Sequence, residues 1–176
     1  IGLFRFVEQG ALIEDLKVRV SLKPDGSAAR VGGIAGTNRG RISGCSVSGR
    51  VEGRENTGAV AGCNEASGLI ENCMSTAKVS GFKATGGIVG LNEGIVESCT
   101  NRGEVNTSDR TERSAETLTE ASPLDGKILD AEKVYHTGGI AGKSTGTIRT
   151  SSNEGVVGYL HAGYNTGGIV GLQSGY

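Results

Sequence analysis

Hydrophobic positions along this chain recur in short pieces, separated by Gly, Asn and Ser, and not as the long stripe of an amphipathic helix. One phrase returns five times: VGGIAG at 31–36, TGAVAG at 57–62, TGGIVG at 85–90, TGGIAG at 137–142 and TGGIVG at 166–171. A second phrase follows each of the first four: GRISGCSVSGRV at 40–51, GLIENCMSTAKV at 68–79, GIVESCTNRGEV at 94–105 and GTIRTSSNEGVV at 146–157. Sorted by position in the repeat, the apolar residues fall into columns. Ile34, Val60, Ile88, Ile140 and Ile169 form one; Ile42, Ile70, Val96 and Ile148 a second; Val51, Val79, Val105 and Val157 a third. Cys45, Cys73 and Cys99 make a fourth, with Ser151 in the last complete copy. Short β-branched pieces bounded by turn residues predict strands. A repeat of a few tens of residues predicts one such unit stacked on copies of itself.

The expected fold is therefore all-β: a parallel β-solenoid of about five to six coils, right-handed because parallel crossovers take that hand. Equivalent residues should lie about 4.8 Å apart on neighbouring coils. Asn38, Asn64 and Asn92 recur at a turn, where Asn tolerates a left-handed backbone and bonds nearby amides. Residues 1–30 read as an atypical, bulkier capping coil with Phe4, Phe6, Leu12 and Leu16. Residues 31–105 and 137–176 read as repeats, the last one incomplete, so the chain is expected to be a piece of something larger.

Between the two repeat blocks, residues 106–136 interrupt the period. Asp109, Glu112, Glu116, Glu120, Asp125, Asp130 and Glu132 there outnumber Arg110, Arg113, Lys127 and Lys133. A short helix fits 110–121. The segment is either a solvated excursion or a recognition loop, since long insertions in repeat proteins gather on one face and bind. Its candidate contacts are Arg110, Arg113, Glu116 and Glu120. A further turn at 158–165 offers Tyr159, His161 and Tyr164 as aromatic anchors or as shields of a solenoid corner.

Composition narrows the picture. The 31 Gly among 176 residues far exceed ordinary usage, while Trp is absent and only three Phe occur. Thin, flat coils filled by small aliphatic side chains suit that balance. A formal net charge of −1 gives no case for nucleic-acid binding. No apolar run reaches the length of a membrane span. The repeating cysteines lack the close pairing of zinc sites and read as a reduced core ladder. Cys63 falls in a column with Thr37, Leu91, Lys143 and Leu172, which tolerates polar residues and is expected to be partly exposed. A reactive thiol there would need His136 or His161 as a base, and nothing in the sequence brings either to it. No catalytic, cofactor-binding or metal-binding set emerges, so a non-enzymatic chain without cofactors is expected.

The phrases just quoted resemble the GLUG motif, roughly Gly-Gly-Leu-x-Gly-x-Asn-x-Gly-x-Ile-x-Asn-Ser-Tyr-Ala-x-Gly-x-Val. The closest stretches are 58–79 and 86–105, with Glu71, Asn72 and Cys73 standing where that pattern has x-Asn-Ser. Such repeats occur in bacterial surface and secreted proteins, including filamentous-haemagglutinin-like adhesins and the non-catalytic regions of IgA-cleaving metallopeptidases. The resemblance implies a β-solenoid displayed outside the cell, as a stalk, spacer or adhesive surface. The alternative is an accessory domain that recruits substrate for a secreted peptidase or glycan-active enzyme. Implied partners are a host protein or glycan and the neighbouring domains of the parent chain.

Overall fold

A computed structural model of the chain describes residues 1–24, 29–107, 135–158 and 164–175. These residues form four parallel sheets, each taking one strand from every coil. Along a coil the chain visits them in the order A, B, C, D. Sheet A stacks Phe4–Val7, Ala35–Asn38, Ala61–Asn64, Val89–Asn92, Ala141–Ser144 and Val170–Gln173. Sheet B stacks Leu12–Glu14, Arg41–Ser43, Leu69–Glu71, Ile95–Glu97 and Thr147–Arg149. Sheet C carries Lys17–Leu22, Ser46–Glu52, Met74–Ser75 with Lys78–Ser80, Thr100–Asn101 and Ser152–Asn153. Sheet D stacks Val31–Gly32, Glu55–Gly58, Lys83–Gly86, Tyr135–Gly138 and Tyr164–Gly167. The protein is a β-solenoid of about five turns.

The sequence columns are the ladders of this stack. Ile42, Ile70, Val96 and Ile148 pair rung to rung in sheet B. Val51, Val79, Val105 and Val157 do so at the end of sheet C. The Ile34 column climbs by backbone bonds: Ile34 donates to Val60, Val60 to Ile88, Ile88 to Ile140 and Ile140 to Ile169, at 2.8–3.0 Å. Its inner members are fully buried, whereas Ile169 is 39% exposed. Cys45, Cys73 and Cys99 are free and buried, each Sγ donating to the carbonyl two residues back at 3.2 Å. The neighbouring Cys99 thiol and burial both push the Cys73 thiol up.

The glycines of the repeated phrase let sheets A and D meet backbone to backbone. A Cβ on Gly58 would lie 2.6 Å from Val89 Cα, and one on Gly90 would lie 2.6 Å from Asn56 Cα. Real Cβ atoms do not approach so closely, so this side of the coil has no room for a side chain.

Asn38, Asn64 and Asn92 bond nearby peptide groups as expected, Asn38 Oδ1 accepting from Gly40 N–H at 3.2 Å, but they do so without a left-handed backbone. They are buried and form an amide ladder: Asn38 Nδ2 donates to Asn64 Oδ1 at 2.8 Å, and Asn64 Nδ2 to Asn92 Oδ1 at 2.9 Å. Ser144 closes it, accepting from Asn92 Nδ2 at 3.2 Å. The left-handed residues occupy other columns: Asp15, Asn72, Ser98 and Thr150 before sheet C, and Asn56, Ala84, His136 and Asn165 within sheet D. The first coil pairs with the stack, with Phe4 in register with Ala35 and Ile13 with Ile42. Its bulk does not bury itself, for Leu3, Phe4, Phe6 and Leu12 are 40–59% exposed.

Candidate functional site

The four corners of the coil treat chain length differently. From sheet D to sheet A the connection is always a dipeptide, such as Gly33-Ile34 or Ala59-Val60; from B to C it is likewise Gly44-Cys45 or Asn72-Cys73. From A to B it takes either a short form (39–40, 93–94, 145–146) or one two residues longer (8–11, 65–68). From C to D the range is far wider. Two coils cross this corner with the dipeptides 53–54 and 81–82. In the other coils the described residues flanking this crossing, 24 and 29, 107 and 135, and 158 and 164, stand at the same corner. The long interruption of the period therefore costs the stack no rung: Tyr135 pairs directly with Lys83 of the coil before.

Local chemistry explains why the short crossings are Gly-Arg and Gly-Phe. A Cβ at Gly53 would fall on the Thr57 hydroxyl and 3.0 Å from Val31 Cγ2, so the chain turns against the interior only as glycine. The next residues project outward, with the Arg54 guanidinium 6.0 Å above the Phe82 ring. Tyr135, 38% exposed, opens the strand on the far side of 107–134. Its ring lies 6.2 Å from that of His136, tilted by 53°. His136 holds φ 58°, and Asn165 Nδ2 stands 3.0 Å from its Nδ1, which accepts that bond in the neutral ring. Burial first, then Lys143 and Lys83, lower its pKa and keep the ring neutral at pH 7.

Of the residues expected to contact a partner, Arg110, Arg113, Glu116, Glu120, Tyr159 and His161 lie outside the described residues. Tyr164 enters through its backbone, in register with Tyr135. The topology thus roots both candidate segments at one corner, one coil apart, which linear spacing did not reveal. Tyr135, Phe82 and Arg54 were missed; their signal was that each sits beside the repeat position where length varies.

Cys63 was expected to be partly exposed and is instead buried. Arg30 donates to Thr37 Oγ1 at 3.2 Å and to Glu65 at 3.0 Å, and Arg39 reaches Glu65 at 2.6 Å, building a charged cover beside this column. Burial pushes the thiol up to about 11, so it is protonated at neutral pH and is not a nucleophile. Among the described residues, no group of three or more His, Cys, Asp or Glu is gathered that would hold a metal ion.

The fold and its uneven corners define a repeat scaffold whose unit is a four-strand coil. The sequence pattern of the GLUG motif matches twice, over residues 27–52 and 53–80. No curated protein and no solved structure matches the chain.

Proposed function

We propose that this chain is a non-enzymatic display module of a larger bacterial surface or secreted protein, its solenoid serving as a stalk and its C-to-D corner as the adhesive edge. The observation carrying this reading is that the longest connections leave and rejoin the stack at one corner, C to D, while the B-to-C and D-to-A corners stay at two residues. In a stacked repeat, length is free to vary only where it does not disturb the ladders, and such outgrowths on one edge form a continuous recognition surface. The partner is a host glycan or glycoprotein, met by the charged residues of 107–134 and by the aromatic residues about Tyr135.

The test replaces 107–134 with the Gly-Arg dipeptide that coil two uses at 53–54. Binding of parent and variant to immobilised mucin and to fibronectin is then compared by biolayer interferometry. The reading expects the parent to bind at least one probe, with at least tenfold loss in the variant. Equal binding by both proteins, or binding by neither, would remove the adhesive edge.

A further inference from the structure

The insertion leaves the stack at a point where the repeat has a structural obligation. In coil two, Gly53 N–H donates up the stack to the Ser80 carbonyl at 2.9 Å. One coil on, Gly81 N–H needs the same service from position 106, where the chain turns away instead. Asn106 is buried, with φ 53°, and its backbone N–H still bonds Val79 O at 2.8 Å. Its side chain supplies what the departing backbone withdraws. Asn106 Oδ1 accepts from Gly81 N–H at 2.8 Å, and Asn106 Nδ2 donates to Thr137 Oγ1 at 2.9 Å.

The second of those bonds singles out one member of a column. Thr57, Thr85 and Thr137 occupy equivalent positions in sheet D, all buried. Thr57 Oγ1 and Thr85 Oγ1 have no hydrogen-bond partner, whereas Thr137, just beyond the returning end of the insertion, is bonded to the residue at its departing end.

We infer that the Asn106 carboxamide is a peptide surrogate that clamps the two roots of the insertion together, holding the departing strand in register with the returning one whatever lies between them. An amide side chain suits this because it offers one acceptor and one donor in the same planar group as a peptide. Asn also tolerates the left-handed backbone that aims it inward. The clamp is independent of the proposed binding role and would hold even if 107–134 bound nothing.

Amide hydrogen exchange on the full chain tests it with two variants. Asn106→Gly keeps the positive φ free of strain and removes the side-chain bonds to Gly81 and Thr137. Thr137→Val removes only the bond to the returning root, and Val31 already fills this column in the first copy of the phrase, so the fold accommodates it. The readouts are the Gly81 amide and the Tyr135 amide, which donates to Phe82 O at 2.8 Å. Both are normalised to Val60 and Ile88, whose amides pair inside the stack. Asn106→Gly should accelerate Gly81 and Tyr135 about tenfold relative to that reference, the equivalent of one lost hydrogen bond. Thr137→Val should accelerate Tyr135 and leave Gly81 at the parent rate. A general loss of stability moves the reference amides equally and cancels. If Asn106→Gly leaves both amides at the reference, or Thr137→Val leaves Tyr135 unchanged, the clamp is refuted.

Discussion

Cys63 shows how a single side chain takes its character from what lies beside it. Its neighbours in the repeat column are Thr, Leu and Lys, a mixture that reads as surface, yet Arg30, Arg39 and Glu65 close over it. The unfolded thiol ionises near pH 8.5, and the folded one only at about 11. With its pKa raised on folding, Cys63 contributes stability that is complete below pH 8.5 and is lost as pH rises toward 11. Chemical denaturation of the parent should therefore weaken between pH 8 and 10.5 by about 2 kcal/mol more than that of Cys63→Thr. Parallel curves for the two proteins would show that the thiol is not desolvated. At the same scale, the left-handed positions were only partly legible: Asn72 and Asn165 advertise that backbone, but Ala84 and His136 do not. They adopt it because a stack in register copies the backbone of one coil onto the next, overriding local preference.

At the scale of the element, the small differences between copies of a phrase are matched by differences across the coil. The second glycine of the TGGI phrase becomes Ala59 in one copy. A Cβ at Gly87 would fall on the Asn101 carboxamide, one at Gly139 on Asn153, and one at Gly33 on Val47 Cγ1 at 2.8 Å. In the Ala59 coil the equivalent of Val47 and Asn101 is Ser75, which is shorter. Sheet C and the phrase between D and A thus exchange volume. Gly87→Ala should cost about 2 kcal/mol by overpacking. Adding Asn101→Ser should recover part of that cost, a coupling of about 1 kcal/mol in a double-mutant cycle on thermal or urea unfolding. Recovery stays partial because the Gly139 carbonyl also lies in the way of a Cβ at Gly87. Strict additivity would deny the compensation. The same elements carry a second buried polar contact, Asn101 Nδ2 to Asn153 Oδ1 at 2.8 Å, which in sequence looks like two ordinary turn residues.

At the scale of the whole molecule, long-range ladders and local corners are separate systems. Ion pairs between coils, such as Arg39 with Glu65, Arg102 with Glu154 and Arg149 with Glu97, run up the outside and are exposed enough to contribute little each. Stability rests on the buried columns, and these continue from Val105 to Val157 past the insertion. Replacing 107–134 by Gly-Arg should therefore leave the circular-dichroism spectrum of the remaining coils unchanged and the melting temperature at or above that of the parent. A collapse of the stack would mean that the segment belongs to the core.

Periodicity alone determined the coil, the parallel stack and the identity of the buried columns, because a parallel ladder in register needs like residues at like positions and writes that need directly into the chain. The cysteine ladder was legible for the same reason. Tertiary structure decided what the period cannot express: which residues from different corners meet. It set the ends of the three longer C-to-D connections at one corner, turned Asn38, Asn64 and Asn92 inward as a ladder, and set Asn106 between Gly81 and Thr137. Those relations cross the coil or climb between rungs, where separation along the chain carries no information about distance.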